Sequence, residues 1–559
     1  MAVAVSTRMR RAVACWQACH ADPAPQLAIA HALTVLPALY LTLDAALRWA
    51  RLPVPLAAQA AAAVLLYAAL LWWRPLGTGR IPPRLLALIA FLLAAFWLVA
   101  AALFDTSWDG TSYHLPAELA LADGWNPIAR PSGIPPADVQ ANGLWTLRAA
   151  LFALTGSVEG SKALNLLFLL AALFTLVPAW TLRLGRPLGA RELALLYAAV
   201  GNPVALGQVL TFYVDGTVYE GGLIVLGAAM LAGPRWHRAA LGLLCAGIVV
   251  LTGTKLSGVY FAALLVPLGL LAAGQPIRAS GRPLALAAGT LALALLAIGF
   301  RPYVTNIRDY GHLVELGPGT NMQRPPELQA TLPPVMLAAS LLARTDSRTD
   351  LRLKWPVTLR LREVASMGVP DPRVGGFGPL FALQLLAGLC AGGLALLHQG
   401  TALRRDPAVL VALGLGAICA VFPEPWLARY APFVWGAPIF LALADGGRTL
   451  LTRWCTALVL VLALANGGMA FAGNLARTVL GDIRLRAMLH DLAAQPEPVL
   501  IVPITYRAFE VTDARRFTAA GIKFRIGDSE RTPENTSPQC ARVLYADRVL
   551  ICEPVAAPP

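Results

Sequence analysis

Charged side chains are scarce in this chain. Only 14% of its 559 residues are Asp, Glu, Lys or Arg, against about 25% in an ordinary water-soluble domain. Hydrophobic residues make up 57%, and the mean hydropathy is +0.63. That shortage excludes a soluble globule and leaves a polytopic membrane protein. Cysteine is thin too: Cys15 and Cys19 precede the first apolar run, Cys245, Cys390, Cys419 and Cys455 fall within runs, and only Cys540 and Cys552 share the polar tail. An oxidising compartment would permit that last pair to form a disulfide. No cleavable signal pattern precedes the first run, which is expected to act as an uncleaved anchor. There is no convincing internal repeat, and this argues against a transporter or flippase built from paired inverted halves.

What is present is a series of Ala/Leu-rich runs near the ~20 residues needed to cross a hydrocarbon core. They predict thirteen transmembrane helices at 27–49, 54–73, 84–104, 161–182, 192–212, 217–233, 238–253, 256–274, 283–300, 377–398, 408–423, 430–446 and 453–473. The net charge of +14 does not point to nucleic acid, because the arginines gather at alternate connections. They sit at Arg8, Arg10 and Arg11, at Arg74, Arg80 and Arg84, at Arg183, Arg186 and Arg191, at Arg235 and Arg238, at Arg278 and Arg282, at Arg404 and Arg405, and at Arg448 and Arg453. The positive-inside bias makes those connections cytoplasmic. The N-terminus, 1–26, is then cytoplasmic, whereas 105–160, 213–216, 254–255, 301–376, 424–429 and 474–559 face the opposite side.

Two of these outer segments are too long to be simple connectors. Segment 105–160 reads as broken amphipathic helices with Trp108, Trp125 and Trp145 at interfacial positions. Segment 301–376 is rich in Arg and Pro, has turn signals at Gly317 to Asn321 and at Arg324 to Pro326, and is expected to form a lid or binding loop. The tail, 474–559, reads as a small α/β domain: strands at 499–503 and 522–526, a helix near 506–520, and a hairpin over 541–553. It has neither a Gly-rich phosphate loop nor metal-ligand spacing, so a scaffold or acceptor-recognition role is expected.

The chemistry-bearing residues cluster on the outer side. Asp105-Thr-Ser-Trp-Asp-Gly-Thr-Ser-Tyr-His114 sets two carboxylates, an aromatic and an imidazole directly after an apolar run, where an ionised acid loses hydration unless something compensates it. A second cluster, Phe212-Tyr-Val-Asp-Gly-Thr-Val-Tyr-Glu220, brings Asp215 and Glu220 to another boundary. Such acids suit removal of a proton from an acceptor hydroxyl, or binding of a divalent metal such as Mg or Mn by Asp109 and Asp215. His114, next to Tyr113, could hydrogen-bond a phosphate or ligate that metal. The complementary cations are Lys255, in Thr252-Gly-Thr-Lys-Leu-Ser-Gly258, Arg301 and Arg308, which flank Tyr303 and Asn306, and Arg429 beside Tyr430; together they suit an anionic, lipid-attached substrate.

These motifs, with Leu115-Pro116 after the first cluster, Tyr213-Val-Asp-Gly216, Thr254-Lys255 and Arg301-Pro-Tyr-Val-Thr-Asn306, resemble bacterial members of the GT-C superfamily of integral-membrane glycosyltransferases. The resemblance covers about 27–473 and leaves out the tail. Two more spans precede the acidic loop than is usual in that family, and the second cluster is Asp-Gly rather than an acidic pair. The resemblance implies an inner-membrane enzyme that takes a sugar from a polyprenyl phosphate or pyrophosphate to a glycan, lipid or protein acceptor on the periplasmic side. It also implies inversion at the anomeric carbon, with Asp109 or Asp105 as general base or metal ligand. Lys255 with Arg301 or Arg308 is expected to hold the phosphate. A polysaccharide ligase or polymerase, expected to rely on outer-loop Arg and His, and a lipid-linked-sugar flippase are the alternatives.

Overall fold

The computed structural model describes residues 23–73, 81–232, 237–275, 280–313, 324–347, 350–400, 406–444, 449–496, 498–502, 508–527, 541–545 and 549–553. Several arginines of the connections expected to be cytoplasmic, the turn at Gly317 to Asn321 and Cys540 lie outside them. The chain is mostly helical. Among the described residues, seven helices are long and apolar enough to cross a membrane: Pro23–Trp49, Leu56–Trp73, Pro83–Ala102, Glu159–Leu184, Gly281–Ile298, Phe381–Gln399 and Leu450–Ala493. Shorter apolar helices such as Ser257–Ala272 and Pro407–Ala420 complete the bundle.

At the centre lies Asp215–Leu231, buried along its whole length and packed against Ala163–Leu184, His237–Thr254 and Ser257–Ala272. Its apolar residues leave no polar stripe, as expected of a helix surrounded by others. Around the outside, Leu65, Trp72, Phe91, Leu397, Leu413 and Trp454 are exposed. An apolar belt of this extent is at home only against lipid.

Three predicted spans differ in form. The run over 192–212 is two helices, Ala190–Val200 and Pro203–Leu206, because Pro203 lacks an N–H and its preceding residue Asn202 adopts extended backbone, with its side chain capping Val204 N at 2.8 Å. The run over 430–446 begins as a 3-10 turn, Pro432–Trp435, before Gly436–Ala444. The last run does not stop at 473: Leu450–Ala493 is one 44-residue helix, about 66 Å long at about 1.5 Å per residue, which is twice a hydrocarbon core.

That helix leads into the C-terminal region. Its Leu485, Leu489 and Leu492 share a core with Val499, Ile501, Phe509, Phe517 and Ile522. Strands β1 (Val499–Val502), β2 (Phe524–Ile526), β3 (Ala541–Tyr545) and β4 (Val549–Glu553) form one sheet of order β2-β1-β4-β3. β1 and β2 are parallel, with Phe509–Ala519 in the crossover between them, and β3 and β4 form an antiparallel hairpin.

Contacts between connections fall into two sets at opposite ends of the bundle. At one end Arg183 donates to Ala273 O, Gln275 lies 3.5 Å from Ala232 O and Gln399 3.4 Å from Ala444 O. At the other, Asn126 donates to Arg48 O at 3.1 Å and Arg301 to Pro127 O at 3.0 Å. Each pair joins segments that the arginine alternation puts on one side.

Candidate functional site

The acidic segment is built from its own carboxylate outward. Asp105 Oδ1 accepts from Ser107 N at 2.7 Å, and Oδ2 from Ser107 Oγ at 2.9 Å and Phe212 N at 2.7 Å. A Cβ on Gly110 would meet that carboxylate at 2.3 Å, so only glycine lets the turn close over it. Asp105 is therefore a buried brace joining the two acidic clusters. With both oxygens engaged, it is poorly suited to be the base considered from the sequence.

The second cluster hangs from helix side chains. Arg148 donates to Phe212 O at 2.5 Å and Tyr213 O at 3.2 Å, while Asn165 Nδ2 reaches Gln208 O, Val209 O and Thr211 O within 3.2 Å. Gln208 Nε2 donates to Asp215 Oδ2 at 3.0 Å and to Pro370 O at 2.7 Å. Asp215 Oδ1 receives Lys255 Nζ, whose ammonium also sits 4.0 Å from the centre of the Tyr430 ring.

These pieces wall a polar cavity lined by Tyr113, His114, Gln140, Trp145, Asp215, Lys255, Arg429 and Tyr430. Trp145 Nε1 donates to His114 Nδ1 at 2.9 Å, a bond that puts the neutral imidazole's own proton on Nε2. Asp109 joins the wall through Arg429, whose Nη1 lies 3.1 Å from Asp109 Oδ2. Arg429 Nε lies 3.1 Å from Asp371 Oδ1. Burial works against the Arg429 charge, but Asp371, Tyr430, Asp215 and Asp109 together keep it well above its ordinary value. Burial, reinforced by the Asp109 charge, pushes the Tyr113 and Tyr213 phenols well up.

Other predicted site residues fall elsewhere. Arg301 leaves the cavity: it lies 3.9 Å from Asp138 and lines a small separate hollow with Asp44, Arg48 and Asn142. Arg308 is exposed and grips Asp309 at 2.6 and 2.9 Å. Tyr303 is buried, with its hydroxyl on Thr252 O, and so props the corner that carries Lys255. Asn306 spends its amide on Val139 O and Leu313 O. Glu220 is buried within its helix and does not line the cavity. The long polar run from 301 looked like a phosphate grip because sequence alone cannot show which carbonyls the chain folds back upon.

Asp371, Gln208 and Trp145 are the site residues that sequence reasoning missed. The only signal for Asp371 was a proline-flanked acid beside an arginine, Val369-Pro-Asp-Pro-Arg373. A metal does not suit the pair Asp109 and Asp215, since Arg429 and Lys255 already neutralise them. Among the described residues no three His, Cys, Asp or Glu side chains converge.

Fold and site together define a multi-pass helical membrane protein with an ion-paired cavity at one end of its bundle. No protein-family model and no curated protein matches the chain. Among solved structures it is similar to the crystal structure of ArnT from Cupriavidus metallidurans bound to undecaprenyl phosphate, at 14% sequence identity and a TM-score of 0.42, over 81% of this chain and 89% of that one.

Proposed function

We propose that the protein is a membrane glycosyltransferase that moves a sugar from a polyprenyl-phosphate carrier to an acceptor hydroxyl on the periplasmic side. The observation that carries this reading is that Lys255 and Arg429, 174 residues apart in sequence (429 − 255), meet in one cavity beside Asp109 and Asp215. Two largely buried cations suit a phosphate entering from the lipid, and they replace Arg301 and Arg308 in that task. Asp109 takes the proton of the acceptor hydroxyl as its oxygen bonds to the anomeric carbon. The carbon–oxygen bond to the phosphate breaks, and Lys255 and Arg429 receive the lipid phosphate's charge. A single displacement inverts that carbon. Tyr113, His114 and Trp145 offer an aromatic wall and a hydrogen-bond donor for the sugar.

The test incubates the purified protein with a panel of radiolabelled polyprenyl-phosphate sugars and follows transfer, with Asp109→Asn alongside. Transfer that needs Asp109 supports the proposal; no transfer from any donor, or full activity in Asp109→Asn, overturns it. A polysaccharide ligase or polymerase is the second reading, because Arg429 and His114 both line the cavity. It is favoured if His114→Ala abolishes joining of a preassembled lipid-linked glycan while Asp109→Asn spares it.

A further inference from the structure

The second outer segment carries an apolar finger that the cavity does not use. Its base is pinned on both strands: Arg344 N donates to Arg352 O at 2.7 Å and Lys354 N to Leu342 O at 3.0 Å. Lys354 Nζ, itself buried, holds the buried Glu363 at 2.5 Å and Pro379 O at 2.6 Å. Between these pins the chain turns at Trp355-Pro-Val-Thr358, where Thr358 N and Oγ1 both donate to Trp355 O, at 3.0 and 2.8 Å. Proline after the first turn residue stiffens that turn. What it presents is apolar: Leu353, Trp355, Val357, Leu359 and Leu361 are 54–88% exposed. Arg360 and Arg362 are exposed among them and form no ion pair with a described residue.

The finger's height follows from the helix it rests on. Arg477 donates to Ala365 O at 2.9 Å. Gly368, at φ +82°, crosses so close that a Cβ there would lie 2.1 Å from Gly473 C and Asn474 N. From Leu450 to Gly473 that helix rises about 36 Å at about 1.5 Å per residue, slightly more than the ~30 Å hydrocarbon core. Its exposed face is apolar through Trp454, Leu458, Val461, Leu464 and Phe471, and from Arg477 onward it carries the exposed charges Arg477, Arg484 and Arg486 among Leu480 and Ile483. The crossing point thus marks the upper edge of the lipid belt.

We propose that residues 353–362 form a membrane-docking finger that seats Trp355, Val357, Leu359 and Leu361 in the outer-leaflet interface and lays Arg360 and Arg362 on anionic phospholipid headgroups. Trp at the headgroup level with arginine beside it is the chemistry such an interface selects. The same segment runs on to Pro370, which accepts from Gln208, and to Asp371 beside Arg429, so lipid contact helps to hold one wall of the cavity in place.

The test places the photoreactive residue benzoylphenylalanine at position 357 of the full chain (Val357→benzoylphenylalanine) in nanodiscs with and without phosphatidylglycerol. Position 458 serves as a lipid-facing reference and position 525 as a water-facing one. The expected result is phospholipid adducts at 357 approaching those at 458, several-fold richer with phosphatidylglycerol, and reduced by Arg360→Gln with Arg362→Gln. Labelling at 357 no greater than at 525, or adducts to a second polypeptide instead of lipid, overturns the proposal. Equal yields in both lipids overturn its anionic-headgroup part. Both variants change exposed residues, and retained labelling at 458 reports that the bundle is intact.

Discussion

Arg429 stands between two carboxylates, with Nη1 3.1 Å from Asp109 Oδ2 and Nε 3.1 Å from Asp371 Oδ1. One planar guanidinium thereby links the first outer segment, the second outer segment and the corner before Pro432. A lysine there keeps the charge but not the fork. Arg429→Lys is expected to lower turnover by about tenfold or more and to raise KM for the lipid donor, since a point charge cannot hold both acids and a phosphate. Steady-state kinetics on the donor identified by the panel checks this, and wild-type constants in the lysine variant would count against it.

The two acids of the first cluster should separate cleanly. Asp105→Asn loses charge-assisted bonds to Ser107 and Phe212, each worth about 1.5–3 kcal/mol, and is expected to lower the melting temperature in detergent. Asp109→Asn leaves Arg429 its second partner, Asp371, so it should lower melting less than Asp105→Asn does and reduce turnover by about 10²–10⁴-fold. Paired melting curves and rates per folded molecule decide the matter; the reverse pattern would move the base to Asp105.

Lys255 and Asp215 form a largely buried pair. Removing one partner strands the other, at a cost of about 3–5 kcal/mol. Lys255→Met and Asp215→Leu are each expected to destabilise, and the double variant to recover much of that loss while remaining inactive. A double-mutant cycle read by thermal unfolding and activity tests it; additive losses would show that the two side chains are not coupled.

The C-terminal region is bolted to the acidic segment. Arg516 reaches Asp105 O and Glu159 Oε1, each at 2.7 Å, Thr512 Oγ1 donates to Thr111 O at 2.8 Å, and Ala508 N to Ser112 O at 2.9 Å. The buried Glu159 carboxylate is paired on one oxygen with Lys162 and on the other with Arg516, each at 2.7 Å. Arg516→Met should loosen this contact by about 3–5 kcal/mol, seen as faster proteolytic release of the C-terminal region and lower activity, with Glu159→Gln in the same background restoring part of the stability. Unchanged proteolysis would mean that the contact is dispensable.

Glu118 gives a pH signature. It is fully buried, and burial pushes it up to about 8, against the lowering influence of Arg148 and Ser161. Its folded state holds a proton that the unfolded chain has released, so stability falls as pH rises from about 5 to about 8 and then levels. Glu118→Gln should flatten that part of the melting-temperature profile, and a slope that survives the substitution would assign it to another group.

Much of the fold was legible in the sequence because a bilayer imposes a fixed length and demands apolar side chains. The runs at 27–49 and 84–104 reappear as Pro23–Trp49 and Pro83–Ala102. Asn202-Pro203 was visible as a break, but only its cap and neighbours show that it ends one helix and begins another. The strands near 499 and 524 and the hairpin over 541–553 follow from alternating apolar residues between turn signals. The 44-residue helix through 473 did not, because its polar half leans on the C-terminal core, a contact with no local sequence mark.

At the site, sequence determined that Asp109, His114, Asp215, Lys255 and Arg429 lie at helix boundaries on one side, since charge next to an apolar run can sit nowhere else. Which of them share a cavity was decided by tertiary structure alone. Arg301 and Arg308 carry the same charge as Lys255 and Arg429, yet one is folded onto Pro127 O and Asp138 and the other onto its neighbour Asp309. Asp371 enters only because its loop is drawn back across the long helix to Gln208 and Arg429. Hydrophobicity acts residue by residue and can be read along the chain, whereas pairing of charges depends on distances of a few ångströms between segments that only packing brings together.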